Sequence, residues 1–432
     1  MQLTIVLEQR FRQTPDGRCW TESTSSRSFW SRYLTVFDGL KIVARVHDVS
    51  TVPDTWKRVD GDGVTVAAVP AYVGPREFAV KALRVRSAVA RAVADDSALL
   101  LRVPGMIATL ACTAMERRRP YGVEVVGDPY GVRSPGMRSS ALTPFLAWTF
   151  TRILRAQCRR AACNLYVTGQ ALQRRYPPAT LDQSNEDRVV GVSDVELPDA
   201  AFAATDRFSR STPPGVDGGQ RRRYRVAFVG ALEVGYKALD VLIEAVATCV
   251  RAGLDAELTI LGTGRQRSLF EAQASRLGLS DRVTFLGSVP AGEPVRQQLD
   301  ASDLFVLPSR QEGMPRALIE AMARGLPCIA TRVGGVPELL PEDVLVAPGD
   351  AGELAAKILE VAASPTLGAR LGAQNLGRAR CYHEKLLQPR RVAFHRYLRD
   401  ITEAWLREKR TPLRVSSRWM GQPFRARTTR ST

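Results

Sequence analysis

Short apolar runs alternate with stretches of helical periodicity in the second half of the chain, from Tyr224 onward. The apolar runs read RVAFVG, AELTILG, RVTFLG, LFVLPS, PCIATRVGG and VLVAPG, and glycine or proline bounds the stretches between them. Runs such as LTIL and LFVL do not alternate apolar with polar side chains, which is typical of strands covered on both faces. The pattern therefore predicts βαβ units that form a parallel sheet with helices on both faces.

The first half repeats this organisation in a less regular form. Its strand-like runs read QLTIVLE, KIVARV, VTVAAVP, ALLLRV, YGVEVVGD and NLYVTG. A chain of 432 residues is also too long for one ordinary hydrophobic core. We therefore predict an α/β protein with two Rossmann-like, doubly wound parallel-sheet domains that face each other across a cleft.

The stretch from Pro198 to Gln220 is rich in Ala, Ser, Thr, Pro and Gly and has no periodicity, which indicates an interdomain linker. We place the N-terminal domain at 1–205, the linker at 206–223 and the C-terminal domain at 224–385. Residues 386–410 have one apolar face and are predicted to form a helix that packs back across the lobes. Residues 411–432 are polar, basic and aperiodic, and are predicted to form a flexible tail.

The formal charge of +17 creates a positive field that attracts anions, such as nucleotide phosphates, acidic lipid headgroups or nucleic acid. The sequence contains no zinc-finger spacing, RNA-recognition aromatic signature or basic zipper, so we expect no nucleic-acid partner. The Arg-rich helical stretch 145–161 fits an anionic membrane surface, and it fits an ordinary amphipathic helix of the first domain equally well.

No stretch reaches the roughly 18 uncharged apolar residues that a membrane span needs, because Arg102 and Pro104 interrupt the most hydrophobic region. The first residues, MQLTIVLEQRF, fit a β-strand better than a secretion signal, because no basic segment precedes their apolar run. We therefore expect a cytoplasmic protein, either free or peripheral on the inner face of the plasma membrane.

Few metal ligands are available in this sequence. The seven cysteines are scattered and form no CxxC pair, and the chain has only three histidines. Asp60 and Asp62 have the D-x-D spacing of some metal-bound nucleotide sites, but they lie in a DGDG turn of a chain with a different architecture. We expect no metal and no cofactor, and we expect the cysteines to be small buried apolar residues.

The segment SRQEGMPRALIE, 309–320, follows an apolar strand and leads into a helix that we predict at 315–324. Pro315 suits the first helical position and Gly325 suits the position after the last turn. The free N–H groups of Gly313 and Met314 would then face the cleft at the positive end of the helix dipole, where a diphosphate is stabilised. Glu312 and Glu320 would reach different parts of one ligand, because carboxylates accept hydrogen bonds from sugar and ribose hydroxyls.

The sequence EGMPRALIEAMARGLPCIATRVGGVPE, 312–338, resembles the retaining GT-B glycosyltransferases of family 4. This resemblance implies that the N-terminal domain binds the acceptor and that the C-terminal domain binds a nucleotide sugar. It implies that Glu312 holds hydroxyls of the transferred sugar and that Glu320 holds the ribose. The donor phosphates would be bound by the backbone of Gly313, Met314, Pro315 and Arg316.

The strand RVAFVG with the following ALEVGYKALDVLIEA resembles the first strand and loop of the family's C-terminal domain. This resemblance implies that Gly230 lies beside the donor and that Lys237 binds its phosphates. Family members commonly carry a basic residue directly after this glycine, whereas this chain has Ala231. Arg316 and Arg310 are candidates to replace that missing charge.

The resemblance covers 225–387 well and the first half thinly. It implies that Gly262, Gly264 and Val289 lie around the nucleotide base, where small residues permit close backbone approach. Gly17 follows the first strand, where the family has a glycine-bearing loop near the donor. Asp128 ends a strand and is assigned to the active site, with initiation of an Asp-Pro turn as the alternative.

The resemblance therefore implies an enzyme with Glu312, Lys237 and Asp128 as catalytic residues. It would transfer a hexosyl unit from a UDP- or GDP-sugar to a glycan or lipid-linked acceptor in cell-surface polysaccharide synthesis, with retention and without a metal. Two alternatives remain open. One is a sugar-nucleotide epimerase or phosphorylase-type enzyme with the same fold, and the other is a basic membrane-surface binding protein without activity.

Overall fold

The structure is a computed structural model that describes residues 1–23, 25–129, 143–179, 186–204, 216–217, 220–221, 223–233 and 235–410. Its first lobe contains a nine-stranded sheet. The strands are β1 (Gln2–Gln13), β2 (Cys19–Thr21), β3 (Gly39–Asp48), β4 (Lys57–Arg58), β5 (Val64–Pro70), β6 (Ala98–Val103), β7 (Gly122–Val125), β8 (Cys163–Tyr166) and β9 (Val189–Gly191). The helices of this lobe are α1 (Arg27–Trp30), α2 (Gly74–Ala92), α3 (Met106–Ala114), α4 (Thr143–Arg160) and α5 (Ala171–Arg175).

Seven strands of this sheet are parallel, in the order β5-β3-β1-β6-β7-β8-β9. Strand β2 pairs antiparallel with the far end of β1, and β4 pairs antiparallel with β2. The order of strands along the chain reverses at β1, with β3 and β5 on one side and β6 to β9 on the other. This reversal places a crevice at the carboxyl ends of the strands, which is where doubly wound sheets bind ligands.

The second lobe contains a six-stranded sheet that is parallel throughout, in the order β14-β13-β12-β15-β16-β17. The chain enters it through two short paired strands, β10 (Val216–Asp217) and β11 (Gln220–Arg221). Its strands are β12 (Tyr224–Val229), β13 (Ala256–Leu261), β14 (Val283–Gly287), β15 (Leu304–Leu307), β16 (Cys328–Thr331) and β17 (Leu345–Val346). The remaining helices are α6 (Leu239–Arg251), α7 (Arg267–Arg276), α8 (Glu293–Asp300), α9 (Arg316–Ala323), α10 (Ala351–Ala363), α11 (Pro365–Ala379) and α12 (Glu384–Arg410).

Every residue of β15 and β16 is buried, as the unbroken apolar runs predict. Full burial of one aliphatic side chain of this size contributes about 1.5–3 kcal/mol. The cores of these two strands therefore hold the loop after β15 in place, and that loop carries the segment 309–320. The prediction of an α/β fold with two parallel-sheet domains is confirmed.

Helix α12 lies against the first lobe, where it contacts β6, β8 and β9. Phe394 and Leu398 of this helix are buried, and so are Arg391 and His395. Arg391 donates to the backbone oxygen of Val195 at 2.9 Å and also to that of Ser193. A buried guanidinium that donates to two carbonyls fixes the register of the helix on this lobe.

Five short strands, β2, β4, β9, β10 and β11, were not predicted, because two or three residues carry no periodicity that the sequence could reveal. Most of the predicted linker at 206–223 and all of the predicted tail at 411–432 lie outside the described residues. Within the described ranges, none of the helices combines the length and the apolar character that crossing a membrane would require.

The cysteines follow the prediction in large part. Five of the seven are buried, Cys112 is half-buried and Cys381 is exposed. Burial raises the pKa of the Cys249 thiol to about 11. The buried thiols are therefore protonated at neutral pH and behave as small apolar groups.

Candidate active site

An ion pair between Lys237 and Glu312 lies at the carboxyl edge of the second sheet. The Nζ atom of Lys237 is 2.6 Å from Oε1 of Glu312, and both side chains are largely buried. Ser309 Oγ donates to the same carboxylate oxygen at 2.6 Å. Because two donors hold Oε1, the carboxylate plane is fixed, and its orientation does not depend on a bound ligand.

The loop that carries Lys237 is itself anchored. Gly235–Lys237 form a 3-10 turn, and the next residue, Ala238, has φ of +51°, a left-handed conformation that costs a non-glycine residue free energy. Arg310 donates to the backbone oxygen of Gly235 at 2.8 Å and to both carboxylate oxygens of Asp240 at 2.9 and 2.6 Å. Arg310 therefore holds the loop in place. This geometry conflicts with the suggestion that Arg310 replaces the basic residue missing at Ala231.

Helix α9 begins one residue later than predicted. Pro315 has an extended ψ of 107° and is the residue before the helix, so Arg316 is the first helical residue. Gly325 has φ of +70° directly after the last turn, as predicted. Among the described residues, none accepts a hydrogen bond from the N–H groups of Gly313 or Met314. These donors lie at the positive end of the helix dipole, a favourable place for an anion.

The two lobes meet at this loop. A Cβ atom added to Gly313 would lie 2.5 Å from the backbone oxygen of Val126 in the first lobe, so only glycine fits. Gln311 reaches across as well, because its Nε2 donates to the backbone oxygen of Asp128. The Asp128 carboxylate is bound by Arg175 at 2.7 Å and by the hydroxyl of Tyr176. Asp128 therefore lies next to the site, but its carboxylate is already engaged within its own lobe.

Glu320 and Arg316 face a cavity that Lys237 and Glu312 do not line. This interlobe cavity has a volume of about 350 Å³. Burial raises the pKa of the Glu320 carboxyl, and the positive charge of Arg316 opposes this rise. The first lobe contributes Ser26, Ser28, Phe29, Lys57, Asp194 and Glu196 to the same cavity. The cavity thus includes Glu320 without Glu312 and places polar groups of both lobes near Glu320, and the expectation that the two glutamates bind one ligand stays a prediction.

The glycines assigned to the nucleotide base pack against protein rather than against open space. A Cβ atom added to Gly262 would lie 1.9 Å from the backbone oxygen of Gly230, and one added to Gly264 would lie 2.2 Å from the backbone carbon of Leu232. Val289 is half-buried. Gly262 and Gly264 therefore let two loops of the second lobe approach each other, and their place around the nucleotide base stays a prediction.

Gly17 lies at the tip of the hairpin between β1 and β2, with φ of +81°. Its N–H donates to the oxygen of Thr14, and its oxygen accepts from Gln13. No described atom lies within 4 Å of a Cβ atom added at this position. The structure gives Gly17 a turn-forming role and no contact that joins it to the other site residues, so its link to the donor stays a prediction.

Three contacts of this site were not found from the sequence. Ser309 and Arg310 open the segment 309–320, and nothing in their spacing indicates that one binds Glu312 and the other Asp240. The carboxylate of Glu338 accepts from N–H groups of Gly169, Gln170 and Ala171 in the first lobe. In the described part of the chain, no three His, Cys, Asp or Glu side chains are grouped as a metal site would need.

Comparison with known proteins provides independent evidence. Residues 223–364 match the family described as Glycosyl transferases group 1. Over 332 residues the chain is 26% identical to protein CapJ of Staphylococcus aureus, covering 76% of this chain and 78% of CapJ. These similarities lie in the region that carries Lys237, Glu312 and Glu320 and extend beyond it.

Two solved structures have the same fold. HepE from Anabaena in complex with UDP-glucose superposes with a TM-score of 0.59 at 16% identity, covering 93% of this chain and all of HepE. WaaG, described as a glycosyltransferase involved in lipopolysaccharide biosynthesis, has a TM-score of 0.56 at 18% identity, covering 90% of this chain and 98% of WaaG. At these identities the likeness defines the fold, and it does not define a substrate.

Proposed function

We propose that this chain, a glycosyltransferase with the GT-B fold, transfers a hexosyl unit from a nucleotide sugar to a glycan or lipid-linked acceptor with retention of anomeric configuration. The observation that carries the proposal is the buried Lys237–Glu312 pair beside the N–H groups of Gly313 and Met314. A cation and two N–H groups at a helix start are suited to a diphosphate, and a fixed carboxylate is suited to sugar hydroxyls.

In this proposal the bond between the anomeric carbon and the donor phosphate breaks while the acceptor oxygen forms a new bond to that carbon. The departing nucleoside diphosphate keeps the electron pair and accepts the acceptor's proton. Lys237 and the N–H groups of Gly313 and Met314 stabilise the negative charge that develops on the diphosphate. Glu312 orients the sugar, and Asp128 lines the acceptor side. A UDP- or GDP-sugar is the proposed donor, and the UDP-glucose complex of HepE supports the first.

Because Lys237 and the helix start supply the positive charge, we propose that the reaction needs no divalent metal ion. Turnover measured in excess EDTA tests this, and complete loss of turnover would contradict it. A screen of thermal stability and slow donor hydrolysis with UDP-, GDP-, ADP- and TDP-sugars identifies the donor. Glu320→Ala should abolish the stabilisation by that donor, whereas Glu360→Ala, which affects only an exposed ion pair with Lys357, should preserve it.

The acceptor side has features that favour a membrane surface. Phe145 and Trp148 at the start of α4 are 62% and 52% exposed, and their rings stack at 6.1 Å. Arg152 lies over the Trp148 ring, with its guanidinium carbon 4.8 Å from the centroid. Exposed aromatic rings next to basic side chains are suited to the headgroup region of an anionic bilayer. We therefore propose a cytoplasmic, peripheral enzyme of cell-surface polysaccharide synthesis that acts on a lipid-linked acceptor.

Vesicle co-sedimentation tests this placement. We expect binding to anionic vesicles that weakens with salt, and a clear loss of binding in the double variant Phe145→Ser, Trp148→Ser. Equal binding to neutral vesicles would remove the electrostatic part of the proposal. Product analysis separates an epimerase from a transferase, because without any acceptor an epimerase releases a sugar nucleotide with an altered sugar, whereas a transferase only hydrolyses its donor slowly.

A further inference from the structure

Glu338 connects the two lobes. It lies in the C-terminal lobe, in the turn Val336–Glu338 that follows two glycines after β16. Its Oε2 accepts from the N–H of Gly169 at 2.6 Å, and its Oε1 accepts from Gln170 at 3.0 Å and Ala171 at 2.6 Å. All three donors belong to the start of α5 in the N-terminal lobe. A carboxylate that accepts three N–H groups forms charge-assisted hydrogen bonds, which are the stronger kind.

The same loop also supports the start of α9. The N–H of Gly335 donates to the oxygen of Gly313 at 2.7 Å. A Cβ atom added to Gly334, which has φ of +53°, would lie 2.0 Å from the oxygen of Glu312. The loop 334–338 therefore touches the residues proposed to hold the donor at one end and the opposite lobe at the other.

Helix α5 carries this connection to Asp128. Arg175 is the last residue of α5 and Tyr176 follows it, and both bind the Asp128 carboxylate. Glu338 fixes the beginning of the same helix. Since α5 spans only Ala171–Arg175, a displacement at its start is transmitted to its end. The chain of contacts runs from Glu338 through α5 to Asp128, and Asp128 in turn accepts from Gln311 beside the donor loop.

We propose that Glu338 is a positioning residue that holds the N-terminal lobe closed on the donor site, through α5 and Asp128. The inference rests on the proposed function for its effect on turnover, whereas the contact itself is testable without any substrate. Without Glu338 the open arrangement of the lobes gains population. Donor binding must then also supply the free energy of closure. The apparent affinity for the donor therefore falls in proportion to the fraction of molecules that are closed.

Amide hydrogen exchange on the full chain tests the contact. Glu338→Ala and Glu338→Gln are compared with Glu342→Gln, which removes an exposed ion pair with Arg332 from the same region. We expect faster exchange at 169–171 and at 126–128 in both Glu338 variants, and no change in the control. Unchanged exchange at 169–171, or a change confined to 169–171, would overturn the proposal, because the second result leaves Asp128 uncoupled.

Kinetics with UDP-glucose provide the second measurement. We expect the donor KM to rise about tenfold in Glu338→Ala while kcat stays within about twofold. A lower kcat with an unchanged KM would indicate only a loss of folded enzyme, and that result would overturn the positioning role. If hydrogen exchange responds as expected while no variant turns over any donor, the proposed function fails and the interlobe contact stands.

Discussion

The ion pair between Arg310 and Asp240 is predicted to keep Lys237 in position beside Glu312. Arg310→Lys preserves the positive charge but cannot donate to both carboxylate oxygens and to Gly235 at once, because an ammonium group is not a planar fork. The loop 235–240 then loses its anchor, and Lys237 moves away from Glu312. We expect lower kcat/KM although neither Lys237 nor Glu312 is changed.

The size of this effect follows from the geometry. Hydrogen bonds between charged groups contribute about 1.5–3 kcal/mol each when shielded from water. The Arg310 side chain is 7% exposed, whereas that of Asp240 is 42% exposed, so solvent weakens the pair. We therefore take a net value of about 1–2 kcal/mol for the loss of the bidentate arrangement. If that free energy is lost from the transition state, kcat/KM falls roughly 5- to 30-fold.

A second Arg–Asp pair of the same lobe provides a control. Arg282 donates to the carboxylate of Asp255 and, at 3.2 Å, to the backbone oxygen of Ala256, both within the second lobe and away from the Lys237 loop. Steady-state kinetics and urea unfolding should be measured for Arg310→Lys and Arg282→Lys. Only the first variant should lose kcat/KM. Equal kcat/KM in the two variants would refute the idea that Arg310 positions Lys237.

Three further predictions concern charge, packing and pH. Lys237→Met should lower kcat about 100-fold. Adding Glu312→Gln to that variant should restore its stability without restoring its activity, and recovery of activity would contradict the role of Lys237. Gly334→Ala should lower the free energy of unfolding by more than Gly349→Ala, because both glycines have positive φ but only Gly334 has a carbonyl in the way, and equal losses would refute this. Burial lowers the pKa of His395 from 6.5 to about 3. Between pH 6.5 and about 3 the unfolded state therefore binds one more proton than the folded state, and the free energy of unfolding falls as the pH decreases through this range. His395→Phe should remove up to about 1.4 kcal/mol per pH unit of that slope in acid unfolding, and an unchanged slope would show that His395 does not titrate this way.

Much of the fold and part of the site are predictable from this sequence. Every residue of the buried strands β15 and β16 is apolar or small, which predicts a strand covered on both faces. Pro315 and Gly325 predict the ends of α9 to within one residue. Local signals of this kind depend on neighbours in the chain. The spacing of Glu312 and Glu320 is equally local, since it places them on different sides of one helix start.

Contacts between segments that are distant in the chain could not be predicted from the sequence. No local pattern shows that Glu338 meets Gly169 or that Arg310 meets Asp240, because such pairs are defined by how elements pack. The glycines illustrate the same limit. Gly262 was expected to allow close backbone approach around the nucleotide base, and in the structure it allows the approach of the Gly230 backbone, a partner that no local pattern indicates.

The backbone contact between Gly262 and Gly230 has a consequence for redesign of donor choice. Mutagenesis libraries aimed at the pocket usually diversify every position assigned to the ligand. Here any side chain at Gly262 would push the two loops apart by about an ångström before any sugar nucleotide arrives, and screens would record misfolded variants as inactive ones. Diversity is better placed at Ala291 and Arg296, which line the cavity beside Glu320.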